Sequence, residues 1–212
     1  MQLTKYSHSC VRLDDGGRAL AVDPGVFSEV TAALDGASAV LITHEHPDHV
    51  NVDELRAAAT RNDQLRIWAP RPVADALRLG DQVVEVEAGQ AFDAAGFAVR
   101  TFGGQHALIH ATIPVVPNVG YLIEDAVYHP GDSLIVPPVP VQLLLAPIHA
   151  PWSKTAEVID FVVAVRAPRV VGIHDALLTD VGRSVVEGHV ERIGAEHGSS
   201  YRPLPPAGTT DV

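Results

Sequence analysis

Ala39-Val40-Leu41-Ile42-Thr43-His44-Glu45-His46-Pro47-Asp48-His49 is the stretch on which the fold turns. The apolar run from Ala39 to Ile42, closed by Thr43, reads as a strand buried on both faces. It empties into six residues of which five can ligate a metal ion. Three imidazoles so close would repel one another if all were protonated, whereas as neutral ligands of a divalent cation they can converge. The chain has 11 His in 212 residues, so three within six positions reads as a ligand cluster rather than a polar loop rich in His. In an extended segment His44 and His46 point toward one ion, and Asp48 and His49, a turn further on, toward a second. The helical zinc-protease pattern H-E-x-x-H does not apply. Its fifth position is Asp48 here, and Pro47 would stand inside the helix at a cost of about 3 kcal/mol.

Composition narrows the rest. With 212 residues, 47% apolar and 19% charged, one globular domain over residues 1–212 is expected. No apolar run approaches the roughly 20 residues that span a bilayer. The start, Met1-Gln2-Leu3-Thr4-Lys5, lacks the basic region and apolar stretch of a signal peptide, so a cytoplasmic location without membrane partners is expected. A formal charge of −11 disfavours nucleic acid as a partner. The single Cys10 excludes a thiolate zinc site, so imidazole and carboxylate must hold any metal.

Strands are expected over 2–6, 10–13, 19–22, 65–69, 83–86, 91–92 and 97–102, with a hairpin turn at Asp14-Asp15-Gly16-Gly17. Helices are expected over 30–34, 51–59 and 72–79. Farther on, 121–123 and 126–128 form a hairpin across Glu124-Asp125, and 141–146 and 169–173 are buried strands. Ser153 caps a helix running to Val165, a last helix covers 183–196, and the Pro-rich tail from Pro203 is expected to be loosely held. Strands with interspersed helices in both halves suggest two packed sheets with helices outside.

The pattern T-H-x-H-x-D-H behind an apolar strand resembles the signature of the metallo-β-lactamase fold superfamily. Its later markers follow in order: Phe102-Gly103-Gly104-Gln105-His106, then Tyr128-His129-Pro130-Gly131-Asp132-Ser133, then Val170-Val171-Gly172-Ile173-His174. Tyr6-Ser7-His8-Ser9-Cys10 and Val22-Asp23-Pro24-Gly25 are similar to the branch that contains ascorbate-6-phosphate lactonase. The resemblance implies an α/β fold, an αββα sandwich of two mixed β-sheets with helices on the outer faces. It implies one metal held by His44, His46 and His106, a second by Asp48, His49 and His174, and Asp132 bridging them. Zinc is the first expectation, with manganese and iron also suited to these donors.

The function so implied is a binuclear hydrolase in which a metal-bridging water or hydroxide attacks an ester-type bond of a small molecule: a lactone, phosphodiester or thioester. Asp48, His106, His110 and His149 are the candidates for proton transfer. His110 is the alternative to His106 as ligand, and His106 is preferred because it follows the strand and its Gly pair directly. His8 reads equally as a turn residue or a substrate contact, Asp23 as an Asx turn or a partner of a ligand imidazole. His129 reads as structural. Rival readings are a non-catalytic metal-bound module and a diiron redox protein. Redox members carry Glu where His46 stands, usually with an added flavin domain. RNA-processing members tend to carry a basic arm that is not evident here. Related lactonases are oligomeric, which implies a homo-oligomer.

Overall fold

A computed structural model describes residues 1–212, whose elements fall into two similar halves. The first half runs β1 (Gln2–Lys5), β2 (Val11–Asp15), β3 (Arg18–Val22), α1 (Val30–Leu34), β4 (Ala39–Leu41), α2 (Val52–Arg61), β5 (Arg66–Ala69), α3 (Arg71–Leu77) and β6 (Val83–Glu85). The second runs β7 (Ala91–Ala94), β8 (Phe97–Gly103), β9 (Val119–Ile123), β10 (Val127–His129), β11 (Leu143–Pro147), α4 (Thr155–Val165), β12 (Arg169–Ile173), α5 (Asp180–Glu196) and β13 (Ser200–Tyr201). A final strand, β14 (Gly208–Asp211), returns to the first half.

Each half forms a seven-stranded sheet, ordered β14-β1-β2-β3-β4-β5-β6 and β13-β12-β11-β10-β9-β8-β7. In both, an antiparallel meander gives way to parallel strands: β3 to β6 in one sheet and β10 to β13 in the other. The sheets pack face to face around Leu3, Leu13, Leu41, Phe97, Tyr121 and Leu145, with helices covering both outer faces. This is the expected αββα sandwich of two mixed sheets.

β4 shows why the run before the His cluster is apolar throughout. Ala39 and Leu41 face the core between the sheets, while Val40 and Ile42 face Leu55 of α2 and Val73 of α3. All four are fully buried, each larger side chain worth about 1.5–3 kcal/mol relative to exposure. Asn51 then caps α2, its side chain accepting from the Glu54 N–H.

Three expectations need correction. The tail is not loose: Thr209 and Thr210, good strand formers, pair with Thr4 and Leu3, and Leu204 is buried in the core. Ser153 does not cap α4. Its hydroxyl is taken up by the Ala150 backbone, and the helix starts at Thr155, with Glu157 accepting from the Lys154 N–H. The last helix begins at Asp180 rather than at 183, because Thr179 accepts from the Gly182 N–H and caps it there.

Two antiparallel steps separate β1 from β3 and β8 from β10, so β1, β3 and β4 run one way within their sheet, as do β8, β10 and β12 in theirs. The C-terminal ends of these strands lead to His8, Asp23, His44, His106, Asp132 and His174.

Candidate metal centre

After β4 the chain turns sharply: the His49 and Val50 N–H groups both bond to the His46 carbonyl, at 2.9 and 3.1 Å. The turn swings His49 back beside His44, ring centroids 4.1 Å apart. Gly25 lets the loop after β3 lie directly on this turn, for a Cβ there would stand 1.9 Å from the Asp48 carbonyl oxygen. The preceding Asp23 accepts from the Thr43 N–H (2.8 Å) and hydroxyl (2.7 Å), and from His49 Nδ1 (2.6 Å).

Hydrogen bonding assigns the ring protons. Thr43 spends its hydroxyl proton on Asp23, so it accepts from His44 Nδ1, 3.0 Å away. His106 Nδ1 donates to the Ala107 carbonyl and His174 Nδ1 to the His149 carbonyl, each at 2.6 Å. His44, His49, His106 and His174 thus each have Nδ1 engaged, which leaves Nε2 to face the centre as a lone-pair donor in the neutral ring. His46 presents Nδ1 instead, 3.1 Å from His44 Nε2.

Asp132 stands among these rings. Its Oδ1 is 3.0 Å from His49 Nε2, and its Oδ2 is 3.3 Å from His106 Nε2 and 3.1 Å from His174 Nε2. Gly131 brings it there in the left-handed region (φ 61°), where a Cβ would overlap Asn118 Oδ1 at 2.3 Å and Thr43 Cβ at 2.7 Å. Asn118 clamps the same loop, accepting from the Asp132 N–H and donating to the Pro130 carbonyl. Trp152 Nε1 donates to Asp132 Oδ2 at 2.8 Å.

Two groups of ligand atoms result, each group lying within 4.8 Å of itself: His44, His46, His106 and Asp132, and His8, Asp48, His49 and His174. His8 belongs to the second group by distance only. Its Nδ1 accepts the Ala176 N–H, so Nε2 carries the proton and donates it to Asp48 Oδ2 at 3.0 Å. His8 therefore holds Asp48 rather than offering a lone pair. His8, Asp23 and His174 all have φ between 48° and 61°, a strained backbone for non-glycine residues that gathers at functional sites.

The electrostatics match a cation site. His49 Nε2, His106 Nε2, His174 Nε2 and Asp132 Oδ1 are buried without a hydrogen-bond partner. Burial, reinforced by its neighbour His49, holds His44 well below the usual histidine pKa, and burial with His106 lowers His46. Burial works against charge on His49 too, but Asp132 and Asp23 on its two sides outweigh it and raise that ring well above the usual value. Burial alone would raise Asp48; the His8 hydrogen bond and the charge of His49 overcome it and hold the carboxyl at about 2. Asp132 lies well below the ordinary carboxylate range for the same kind of reason, burial being outweighed by His49, His106 and His174. The carboxylates stay ionised, and the field they create is one that a divalent cation would satisfy. The donors are all nitrogen and oxygen, which fits zinc, manganese or iron.

All seven residues expected as ligands come together here. The side chains of His110 and His149 do not join either group. His110 lies on the exposed loop after His106, bonded to Thr112, and His149 contributes its carbonyl to His174 while its half-buried ring makes no hydrogen bond to the cluster. His129 is fully buried and satisfied, Nε2 donating to the Ser9 carbonyl and Nδ1 accepting from Gly131. The roles of His8, Asn118 and Trp152 were not legible, because each depends on contacts across 14 to 168 positions of chain.

The strand ends thus converge on two candidate metal-binding groups within an αββα sandwich. Residues 2–174 match the family model described as the beta-lactamase superfamily domain, and the chain belongs to that superfamily. It is similar to Protein Rv0786c of Mycobacterium tuberculosis, 38% identical over 195 residues, which cover 90% of this chain and 91% of that one. It also matches a UPF0173 metal-dependent hydrolase of Methylobacterium nodulans, at 29% over 156 residues and 63% of each chain. In three dimensions it superposes on Igni18, a metallo hydrolase from the hyperthermophilic archaeon Ignicoccus hospitalis. The TM-score is 0.75 at 20% identity, over 99% of this chain and 97% of that one. No helix is long and apolar enough to cross a membrane.

Proposed function

We propose that the protein is an enzyme, a hydrolase that depends on two divalent metal ions and acts on an ester-type bond of a small molecule. One observation carries the reading: four imidazoles present Nε2 lone pairs, fixed by partners on Nδ1, to a space shared with the ionised carboxylates of Asp48 and Asp132. His44, His46 and His106 would hold one ion, Asp48, His49 and His174 the other, and Asp132, which meets rings from both groups, would touch both. Ions held there supply Lewis acidity and a water of lowered pKa.

The chain's own residues do the positioning. Asp23 and Thr43 orient His49 and His44, Trp152 steadies Asp132, and His8 donates to Asp48. The Asp48 carboxylate, 22% exposed, is the group placed to accept a proton at the site's open side. That open side, with His46 also half-buried, favours catalysis over a closed structural centre, where no face need remain accessible. His46 in place of a Glu disfavours the diiron redox alternative.

The test is metal analysis coupled to a screen of lactones, phosphodiesters and carboxylic and thioesters with the metal-loaded protein. Turnover that disappears on chelation and returns with metal is expected. Tight metal retention without turnover of any class would favour the non-catalytic module.

A further inference from the structure

The loops that leave the ligand-bearing strand ends are apolar and exposed. Of the chain's twelve exposed large hydrophobic side chains, nine lie on four such loops: those after Asp23, His106, Asp132 and His174. Val26 and Phe27 follow Asp23, Leu108 and Ile109 follow His106, Ile135 follows Asp132, and Leu177 follows His174. Each loop is tied to the centre. The Val26 N–H bonds to the Pro47 carbonyl, and the Phe27 ring lies 5.4 Å from that of His8. The Ala107 N–H bonds to the Asp132 carbonyl, and the Ala176 N–H to His8 Nδ1. The half-buried indole of Trp152 packs edge-on to His106 and His174.

The charge pattern is as informative. Residues 23–29, 103–118, 130–137 and 174–179 contain no Lys or Arg. The basic side chains close by are paired: Lys5 and Arg183 are turned onto Asp175, at 3.0 and 3.7 Å, Lys154, two residues past Trp152, lies 3.4 Å from Glu157, and Arg71, which lines a cavity with Gly104 and Pro117, lies 3.7 Å from Asp75. A free guanidinium or ammonium is the favoured partner of a phosphate or carboxylate remote from the scissile bond, and these loops offer none. What they offer is hydrocarbon, in a concentration that marks a binding surface.

We propose that these loops bind the apolar part of an uncharged substrate, so that the bond cleaved belongs to a neutral carboxylic ester, lactone or thioester bearing an aliphatic or aryl group. The proposal rests on the hydrolase reading above and selects within it. In the reaction the acyl carbon gains a bond to the oxygen of water and loses its bond to the alkoxy or thiolate group. One proton of that water goes to the leaving group and the other to solvent as the acid ionises.

The probes are the 4-nitrophenyl esters of acetate, butyrate, hexanoate and octanoate, with the anionic hemisuccinate ester for comparison, all on metal-loaded full-length protein. Each added methylene should raise kcat/KM about two- to fourfold, as partial to full burial of one CH2 group implies. The hemisuccinate ester should fall below the butyrate ester. F27S combined with L108S should flatten the dependence on chain length. Hydrolysis with a flat or falling dependence, or a preference for the hemisuccinate ester, overturns the apolar-substrate proposal and leaves the hydrolase reading standing. No hydrolysis of any of these esters by protein that retains its metals overturns the apolar-substrate proposal, and the hydrolase reading falls with it only if lactones, thioesters and phosphodiesters are not turned over either. If F27S with L108S turns a dimer into a monomer by light scattering and leaves the chain-length dependence unaltered, the loops serve a second copy of the chain and the proposal fails.

Discussion

The first half of the sandwich gathers three imidazoles and a carboxylate on the single turn after β4, while the second half delivers His106, Asp132 and His174 one at a time from three strand ends. The two halves share a topology, a meander followed by parallel strands, and differ in how they aim side chains. The first half needs one turn and one buttress, the Asp23 carboxylate with the Gly25 contact beneath it. The second half needs a separate backbone device at each position. Ala107 supplies a carbonyl to His106, Gly131 and Asn118 fix Asp132, and His174 takes a left-handed backbone while the His149 carbonyl orients its ring. The compact cluster thus shares one buttress, Asp23, whereas each dispersed residue has a hydrogen-bond partner of its own.

Asp132→Ala should break the comparison most severely, because its carboxylate is the one that meets ring nitrogens of both groups. Bound metal is expected to fall from about two ions per chain to below about one, measured by elemental analysis; retention of both ions would show that the second half does not join the groups. His44→Ala with His46→Ala, and separately His106→Ala, should each strip about one ion and abolish hydrolysis. If the first variant loses metal and His106→Ala does not, the first half holds its ion unaided. Gly131→Ala places a Cβ 2.3 Å from Asn118 Oδ1 on a backbone at φ 61° and is expected to cost about 2–4 kcal/mol. Asn51→Ala, which removes only the cap of the helix behind the first cluster, should cost about 1 kcal/mol. At about 2–4 °C of melting temperature per kcal/mol the two are separable, and equal losses would mean that the second half is not held by its backbone devices.

The smallest effect is that of pH on the chelated protein. Burial lowers His8, His44, His46 and His129, so these rings favour folding while neutral. Their contribution is complete above the unfolded histidine pKa of about 6.5 and is lost as pH falls below it. His49, raised between Asp132 and Asp23, acts in the opposite sense, contributing below about 6.5 and losing its effect as pH rises through its folded value. Four rings against one predict a lower melting temperature at pH 5.5 than at pH 7.5. An equal or higher value would show that His49 dominates.

How much of this was legible follows the same division. The apolar run 39–42 and the T-H-x-H-x-D-H pattern are local, and they carry the sandwich and four of the seven candidate ligands. His106, Asp132 and His174 were legible only as ordered echoes of a family pattern, each at a strand end. The rings of His149 and His110 stay outside both ligand groups, and strand-end position does not say which way a side chain turns. In the structure one presents a carbonyl and the other sits on an exposed loop. The tail after Pro203 looked loose because its partner, β1, lies at the far end of the chain. His8 was undecided because its role depends on Asp48 and Ala176, residues that only the fold brings near.

Anomalous X-ray scattering from crystals grown with zinc tests the central claim most directly. Two peaks are expected, one within about 2.0–2.3 Å of nitrogens of His44, His46 and His106, the other equally close to His49 and His174, with Asp132 reaching both. A single peak, or two peaks of which Asp132 touches only one, would contradict it.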